Sequence, residues 1–180
     1  MRRYVYRIVV LVALAAMSIP TDIVAQDTVW NRYTLEDLGG VFVRTETATC
    51  ESVGMTRQVV QADTEAILID AEVDLLTEGE MLRNRALPEL RVTLECAAGE
   101  GASSAVAYSV SVRVQQAAQM TRDSQISLPE AVTWWSTGVG VEESATAQAA
   151  LQEALRVKVE EFATAYVEAN TEPADTTGTC

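Results

Sequence analysis

The sequence has no histidine among its 180 residues. Histidine changes charge near neutral pH, so its absence excludes Ser-His-Asp and Cys-His catalysis and zinc sites built on imidazole. The sequence also lacks a Gly-x-Ser-x-Gly elbow, a Gly-Lys-Thr phosphate loop and a Gly-x-Gly-x-x-Gly turn. We therefore expect a protein that is not an enzyme and that holds no cofactor.

Positive charge is also scarce in this chain. It has 13 basic and 26 acidic residues, which gives a formal net charge of −13 at pH 7. A surface this acidic repels phosphate backbones and anionic lipids, so we expect no nucleic-acid partner. The same charge favours solubility, cationic partners or a saline habitat.

Long apolar runs are absent after the first 25 residues. Within those residues, three arginines precede the apolar run Ile8–Met17, and Pro20 separates this run from Ala25. That order is typical of a secretory signal peptide, residues 1–25, cleaved before Gln26. Ten apolar residues form about 15 Å of helix, roughly half a hydrocarbon core, which makes an uncleaved anchor the weaker alternative. We expect an exported protein, periplasmic or secreted, that does not insert into a membrane.

Cysteine occurs three times, and the odd count leaves one thiol unpaired. An oxidising compartment makes a Cys50–Cys96 disulfide plausible, because Cys50 follows one predicted strand and Cys96 ends another. Alternatively, Cys96 is a small core residue at the end of an apolar row. Cys180 would be free or would pair between chains.

Acidic residues offer two weak site hypotheses. Asp70, Glu72 and Asp74 are spaced as in a calcium loop, but Leu75 and Met81 stand where that loop needs Gly and Glu. We interpret the three as a solvated acidic edge. A glycosidase needs two carboxylates in a cleft, and no spacing in the sequence singles out such a pair.

Two segments alternate between apolar and polar residues, as strands with one buried face do. They are Leu90–Cys96 and Val106–Val114, and the Gly- and Ser-rich link 99–104 predicts an antiparallel hairpin. Further short strands are predicted at Val41–Glu46, Val73–Leu76 and Ala131–Val141. The segment Thr77–Pro88 is charged and irregular.

Two helices are predicted from apolar residues at helical spacing. The first covers residues 55–71, and its inward face consists of Met55, Val59, Ala62, Ala66 and Ile69. The second covers residues 145–169, with Ser144 as its N-cap. Its inward stripe includes Leu151, Leu155, Phe162 and Tyr166.

These elements predict an α+β fold, a two-layer sandwich with a mainly antiparallel sheet and both amphipathic helices on one face. Residues 26–170 would form this single domain, and the polar residues 171–180 a disordered tail. The opposite face of the sheet would meet solvent or a partner. Its predicted side chains are Ser109, Ser111, Arg113, Arg91 and Glu95.

Trp134 and Trp135 are adjacent on a predicted strand, so their side chains point to opposite faces. Parity with Val132 would bury Trp134 and leave Trp135 on the open face, but a bulge near the following glycines would reverse this. Alternatively, both indoles are buried. With these alternatives open, the candidate interaction face consists of Trp134, Trp135, Arg113, Ser109 and Ser111.

Five short motifs cover most of the chain in a fixed order. They are Leu35-Glu-Asp-Leu38-Gly-Gly-Val41, Pro88-Glu-Leu90-Arg-Val92, Ala107-Tyr108-Ser-Val110-Ser-Val112, Thr133-Trp-Trp135-Ser-Thr-Gly138 and Phe162-x-x-x-Tyr166-x-x-x-Asn170. Together they resemble a widespread group of small, exported, uncharacterised bacterial envelope proteins. The resemblance implies an α+β fold and an envelope location, and it implies no activity. It also implies that Trp135 is the usual aromatic residue and Trp134 the additional one, so the identity of the buried indole stays open.

Three functions are compatible with the sequence. The leading hypothesis is a non-enzymatic interaction domain that uses its open sheet face or an edge strand to bind another envelope protein, or itself. The second is a carrier with a small-ligand pocket between helices and sheet, near Tyr108, Trp134 or Trp135, Phe162 and Tyr166. The third is a hydrolase built on carboxylates alone, which needs at least one perturbed pKa.

Overall fold

The computed structural model of the protein describes residues 29–99 and 104–171. The predicted signal peptide, Cys180 and all but one residue of the predicted tail lie outside them. The elements in chain order are α1 Val29–Tyr33, β1 Phe42–Glu46, a 3-10 turn at Glu51–Val53, α2 Arg57–Asp70, α3 Glu78–Met81, β2 Glu89–Ala98, β3 Ala105–Gln119, β4 Ser127–Glu143 and α4 Ala147–Asn170.

The four strands form one sheet in the order β1-β2-β3-β4. β2 and β3 are the predicted antiparallel hairpin, with Val92 opposite Val112, and β4 continues the sheet antiparallel to β3. β1 runs parallel to β2. A parallel pair needs a long crossover connection, and the segment that contains α2 and α3 provides it. The predicted α+β fold with a mainly antiparallel sheet is confirmed.

The two long helices pack on one face of the sheet and against each other. The residues of the predicted α4 stripe, Leu151, Leu155, Phe162 and Tyr166, are all buried. Trp134 of β4 meets Phe162 edge-on with ring centroids 5.4 Å apart, and Phe162 lies 5.8 Å from Tyr166. These rings fill the space between β4 and α4. No helix in the described part of the chain is long and apolar enough to span a membrane.

The inward face of α2 differs from the predicted one. Its buried residues are Val60, Thr64 and Leu68, which are spaced four apart. The predicted inward residues Ala62, Ala66 and Ile69 are exposed, Ile69 by 61%. Of the other two predicted residues, Met55 is fully buried just before the helix and Val59 is half-buried. The prediction was wrong for the three exposed residues because a threonine, a residue type normally counted as polar, lies at the centre of the buried face.

β4 extends beyond the predicted segment Ala131–Val141 at both ends. Trp134 is 1% exposed, which agrees with the parity argument, yet Val132, the residue used for that argument, is 44% exposed. The ladder pairs Val114 with Trp134 but Gln115 with Val132, so one extra β4 residue forms a bulge between them. The bulge lies before the tryptophans, whereas the sequence had suggested one near the glycines after them.

Two connecting segments also differ from prediction. Instead of a strand at Val73–Leu76, the structure has a single parallel bridge between Val41 and Leu75. The segment predicted to be irregular contains α3, which begins with a capping box between Thr77 and Glu80.

The start of α4 differs by two residues from the prediction. Thr146, and not Ser144, occupies the N-cap position, and its side chain makes no capping bond. Ser144 instead donates from both its backbone N–H and its hydroxyl to the carbonyl of Ser104. That contact joins the end of β4 to the start of β3, which removes Ser144 from the helix.

Candidate functional site

The side of the sheet that α2 and α4 leave uncovered, the open face, carries polar side chains in rows across the strands. One row spans all four strands: Arg44 pairs with Arg91, Arg91 with Arg113, and Arg113 with Trp135. All four residues are partly buried. This row, the arginine row, places three cations and an indole side by side on a chain with a net charge of −13.

Two arginines of the row share one buried carboxylate. Glu89 is 8% exposed and accepts hydrogen bonds from Arg44 Nε and Arg91 Nη2, each at 2.7 Å. The bond to Glu89 raises the pKa of Arg44. Glu46 and Glu130 each lie 3.9 Å from Arg91. The charges of Arg44 and Arg91 are therefore balanced by carboxylates of the protein itself.

Arg113 differs from the other two arginines in its partners. Within residues 29–99 and 104–171, no carboxylate lies within ion-pair distance of its guanidinium group. Its Nη2 donates to Thr93 Oγ1 at 3.3 Å, while its Nε is buried and has no hydrogen-bond partner in the described structure. Gln115, the next residue of β3 on this face, likewise has a buried and unpartnered Oε1. Arg113 thus offers a donor, and Gln115 an acceptor, that the described chain does not use.

The tryptophan pair divides between the two faces. Trp135 is directly opposite Arg113 in the ladder and is partly buried on the open face. Trp134 packs on Phe162 in the core. Of the two indoles placed in the candidate interaction face, Trp134 is therefore unable to contact a partner, and Trp135 is the aromatic residue beside Arg113.

The two predicted serines lie in the rows next to the arginine row. Ser111 pairs with Thr93 and Thr137, and Ser109 pairs with Glu95 and Val139. Both serines are partly buried, and Ser109 Oγ lies 3.3 Å from Glu95 Oε2.

The structure therefore places Ser109, Ser111, Arg113 and Trp135 on one surface. Sequence reasoning missed Arg44 and Glu89 because the register of the parallel β1–β2 pair leaves no trace in the alternation of either strand. The only sequence signal was that Arg44 lies at an alternating polar position of the first predicted strand.

Cys50 and Cys96 are joined by a disulfide across 46 residues of sequence. Cys50 precedes the 3-10 turn that follows β1, and Cys96 lies near the end of β2. The backbone N–H of Cys96 also donates to Thr49 Oγ1 at 2.9 Å. The exit of β1 is thus fixed to the outer end of the hairpin.

A shallow groove of about 520 Å³ lies beside the disulfide, at the outer end of β2, β3 and β4. Among its lining residues are Tyr108, Gly140, Val139 and Val141, and the two valines are 76% and 67% exposed. Burial and the charge of Glu142 raise the pKa of Tyr108. The carrier hypothesis named Tyr108, which lines this groove. It placed the pocket between helices and sheet, however, where the rings of Trp134, Phe162 and Tyr166 occupy the space.

The acidic residues form no metal centre in the part of the chain that the structure describes. Asp70, Glu72 and Asp74 are exposed around the end of α2. Hydrogen bonds from Thr77 lower the pKa of Glu80, and the bond from Arg156 lowers that of Glu153. A glycosidase acid needs a raised pKa, so neither carboxyl group suits the hydrolase hypothesis.

No protein-family model matches this chain, and no curated protein matches it. Among solved structures, the chain is similar to a minor lipoprotein from Acinetobacter baumannii, with a TM-score of 0.33 and 12% sequence identity. The match covers 73% of this chain and 93% of the lipoprotein chain. A TM-score this low does not establish a shared fold. The resemblance to a group of exported envelope proteins stays a prediction.

Proposed function

We propose that the protein is a non-enzymatic, exported interaction domain that binds another envelope protein through Arg113 and Trp135. The observation that carries the proposal is the state of Arg113. It is a cation without a carboxylate partner in the described chain, and its Nε is buried without an acceptor. The predicted signal peptide supports the envelope location of the partner.

A buried donor that makes no hydrogen bond costs roughly 1–3 kcal/mol. The neighbouring arginines of the row do have a carboxylate partner within the sheet, because Glu89 forms ion pairs with both Arg44 and Arg91. An arginine left without one has an energetic cost that an acceptor from a partner can offset. Arginine and tryptophan are also the residue types that most often dominate the binding energy of protein interfaces.

The chemistry of Arg113 specifies the contacting group of the partner. A guanidinium group binds a carboxylate with two parallel N–H···O bonds, and it also stacks on aromatic rings. We therefore infer that the partner presents an aspartate, a glutamate or a C-terminal carboxylate to Arg113. Trp135 would provide the apolar surface that excludes water from this ion pair.

The test is a cross-linking pull-down from native cells, followed by affinity measurement with the purified partner. The compared variants are Arg113→Met, Trp135→Ala and, as a matched control, Arg83→Met. Arg83 is an exposed arginine that follows α3, and no carboxylate of the described residues lies within ion-pair distance of its side chain.

We expect capture of one reproducible partner by the wild type and by Arg83→Met. Arg113→Met and Trp135→Ala should each weaken its binding at least about tenfold, the equivalent of 1.4 kcal/mol. Undiminished affinity in both open-face variants would contradict the proposal, as would hydrolase or transferase activity that a single substitution abolishes.

A further inference from the structure

We propose that β4 pairs along its free edge with β4 of a second copy of this chain, in antiparallel orientation about Gly138. β4 is the last strand of the sheet, and its ladder contacts are all with β3. Among the described residues, no backbone group from Ala131 to Val141 bonds to any other element. Within residues 29–99 and 104–171, the outer edge of β4 from Ala131 to Val141 therefore has no paired strand.

The two edges of the sheet differ in their protection. β1, at the other end, has five residues and carries Arg44 and Glu46. Short length and charge are the usual means by which an edge strand avoids pairing. β4 is a long strand, and its stretch from Trp134 to Val141 is regular, uncharged and free of proline, so it lacks both protections. Its bulge and Pro129 both precede this stretch.

The side chains on this stretch suit a second copy of the same strand. On the open face they are Trp135, Thr137, Val139 and Val141. Antiparallel pairing about Gly138 places Trp135 opposite Val141 of the second copy, and Thr137 opposite Val139. Aromatic and β-branched residues are favourable neighbours across strands. Pairing would also cover the two most exposed apolar side chains of the sheet, Val139 and Val141.

Charge favours this orientation over a parallel one. Two copies that each carry a net charge of −13 repel each other unless the contact surface is neutral. In the antiparallel arrangement, Glu142 lies opposite Trp134 of the second copy, and Glu143 lies opposite Thr133. In an in-register parallel pairing, Glu142 and Glu143 would each lie opposite the same glutamate of the second copy. Like charges in such positions are destabilising.

Gly138 and Gly140 of β4 have no side chain on the side of the sheet that faces the helices, and side chains of the same protein lie there instead. A Cβ at Gly140 would lie 2.4 Å from the Tyr108 ring, so the ring of β3 covers this position of β4. Lys158 of α4 covers Gly138, where its Cε would lie 3.3 Å from an added Cβ. The helix side of β4 is therefore covered from within the protein, and the backbone edge is what remains for a second copy.

The proposal is tested by sedimentation of protein produced from the full-length chain, with Cys180→Ser introduced to prevent linkage through that thiol. We expect a concentration-dependent doubling of mass. Val139→Lys should abolish the doubling, because a lysine on an edge strand opposes pairing. Ile69→Lys is the matched control, since Ile69 is 61% exposed on α2 and should leave the dimer intact.

Hydrogen exchange identifies the surface directly. Amide protection over residues 134–141 should rise with protein concentration in the wild type and stay constant in Val139→Lys. A monomer at all concentrations would overturn the proposal, and so would a dimer that Val139→Lys leaves unchanged. Arg113→Met should retain the dimer, which separates this result from the outcome for the open-face partner.

Discussion

An unpartnered donor sets Arg113 apart from the other residues of the arginine row, and this difference has a measurable effect on stability. Replacement by methionine removes the buried Nε together with the 3.3 Å bond from Nη2 to Thr93, and it keeps most of the apolar stem. Removal of a buried donor that makes no hydrogen bond is favourable and offsets the loss of that long bond, so the net change is close to neutral or favourable. We expect Arg113→Met to leave the free energy of unfolding unchanged or to raise it by up to about 1 kcal/mol.

The contrasting variant is Glu89→Gln, which leaves Arg44 and Arg91 facing a neutral amide. Because Glu89 is buried and serves both arginines, we expect the free energy of unfolding to fall by about 1–3 kcal/mol. Urea titration of both variants provides the measurement. A loss for Arg113→Met as large as that for Glu89→Gln would indicate that Arg113 stabilises the fold.

The glycines of β4 give a second prediction at this scale. Gly140→Ala introduces a Cβ 2.4 Å from Tyr108, whereas at Gly138 the nearest atom is the flexible end of Lys158 at 3.3 Å. We expect Gly140→Ala to lower the free energy of unfolding by about 1–3 kcal/mol through overpacking. Gly138→Ala should change it by no more than about 1 kcal/mol, since alanine also restricts the unfolded chain. Equal effects in thermal unfolding would contradict the proposed contact with Tyr108.

At the scale of secondary-structure elements, the strands were easier to predict than the helix faces. Val92 and Val112 belong to runs of strict alternation, which determine both the strand and its buried side. α2 has no such strict pattern. Its buried face passes through Thr64, whose Oγ1 has no hydrogen-bond partner in the described structure, and apolar residues such as Ile69 point to solvent. Spacing alone therefore selected the wrong side of a correctly located helix.

The contrast between adjacent residues of α2 provides a direct check. Leu68 is fully buried, while Ile69 is 61% exposed. We expect Leu68→Ala to lower the free energy of unfolding by about 2–5 kcal/mol, and Ile69→Ala to change it by less than about 0.5 kcal/mol. Denaturant unfolding of the two variants under the same conditions decides the matter. The reverse order would support the face predicted from the sequence.

The arginine row shows a second limit of prediction at this scale. The sequence predicts Arg91 and Arg113 on the open face because each strand of the hairpin alternates independently. Their alignment with Arg44 depends on the register of a parallel pair whose strands are separated by α2 and α3. Side-chain periodicity determines which face a residue occupies, but not which residue of a distant strand lies beside it.

At the scale of the whole molecule, layer order and fold class followed from the sequence of elements, since one-faced strands need covering helices. The candidate site followed only in part. Polar alternation indicated an uncovered face, yet the distinction between Arg113 and its neighbours depends on which carboxylates are near each arginine. Glu89 lies beside Arg44 and Arg91, and this placement depends on the register in which β1, β2 and β3 are assembled.

The disulfide is the long-range covalent constraint in the described structure, and its removal should affect the whole fold. It closes a segment of 46 residues, for which chain-entropy arguments give a stabilisation of about 2–4 kcal/mol. We expect the double substitution Cys50→Ala and Cys96→Ala to lower the free energy of unfolding by this amount. Chemical denaturation with and without a reductant is the measurement. If the denaturation midpoint of the wild type were unchanged after complete reduction of the disulfide, the predicted stabilisation would be contradicted.

That same bond also makes the segment from Cys50 to Cys96 a closed covalent ring, with α2 and α3 inside it. A protease that cuts the exposed chain around α3 would break the backbone without releasing a fragment. The nicked protein would migrate as one species on electrophoresis and separate into two only after reduction. A first cut at this site would therefore leave both halves of the sheet in a single molecule.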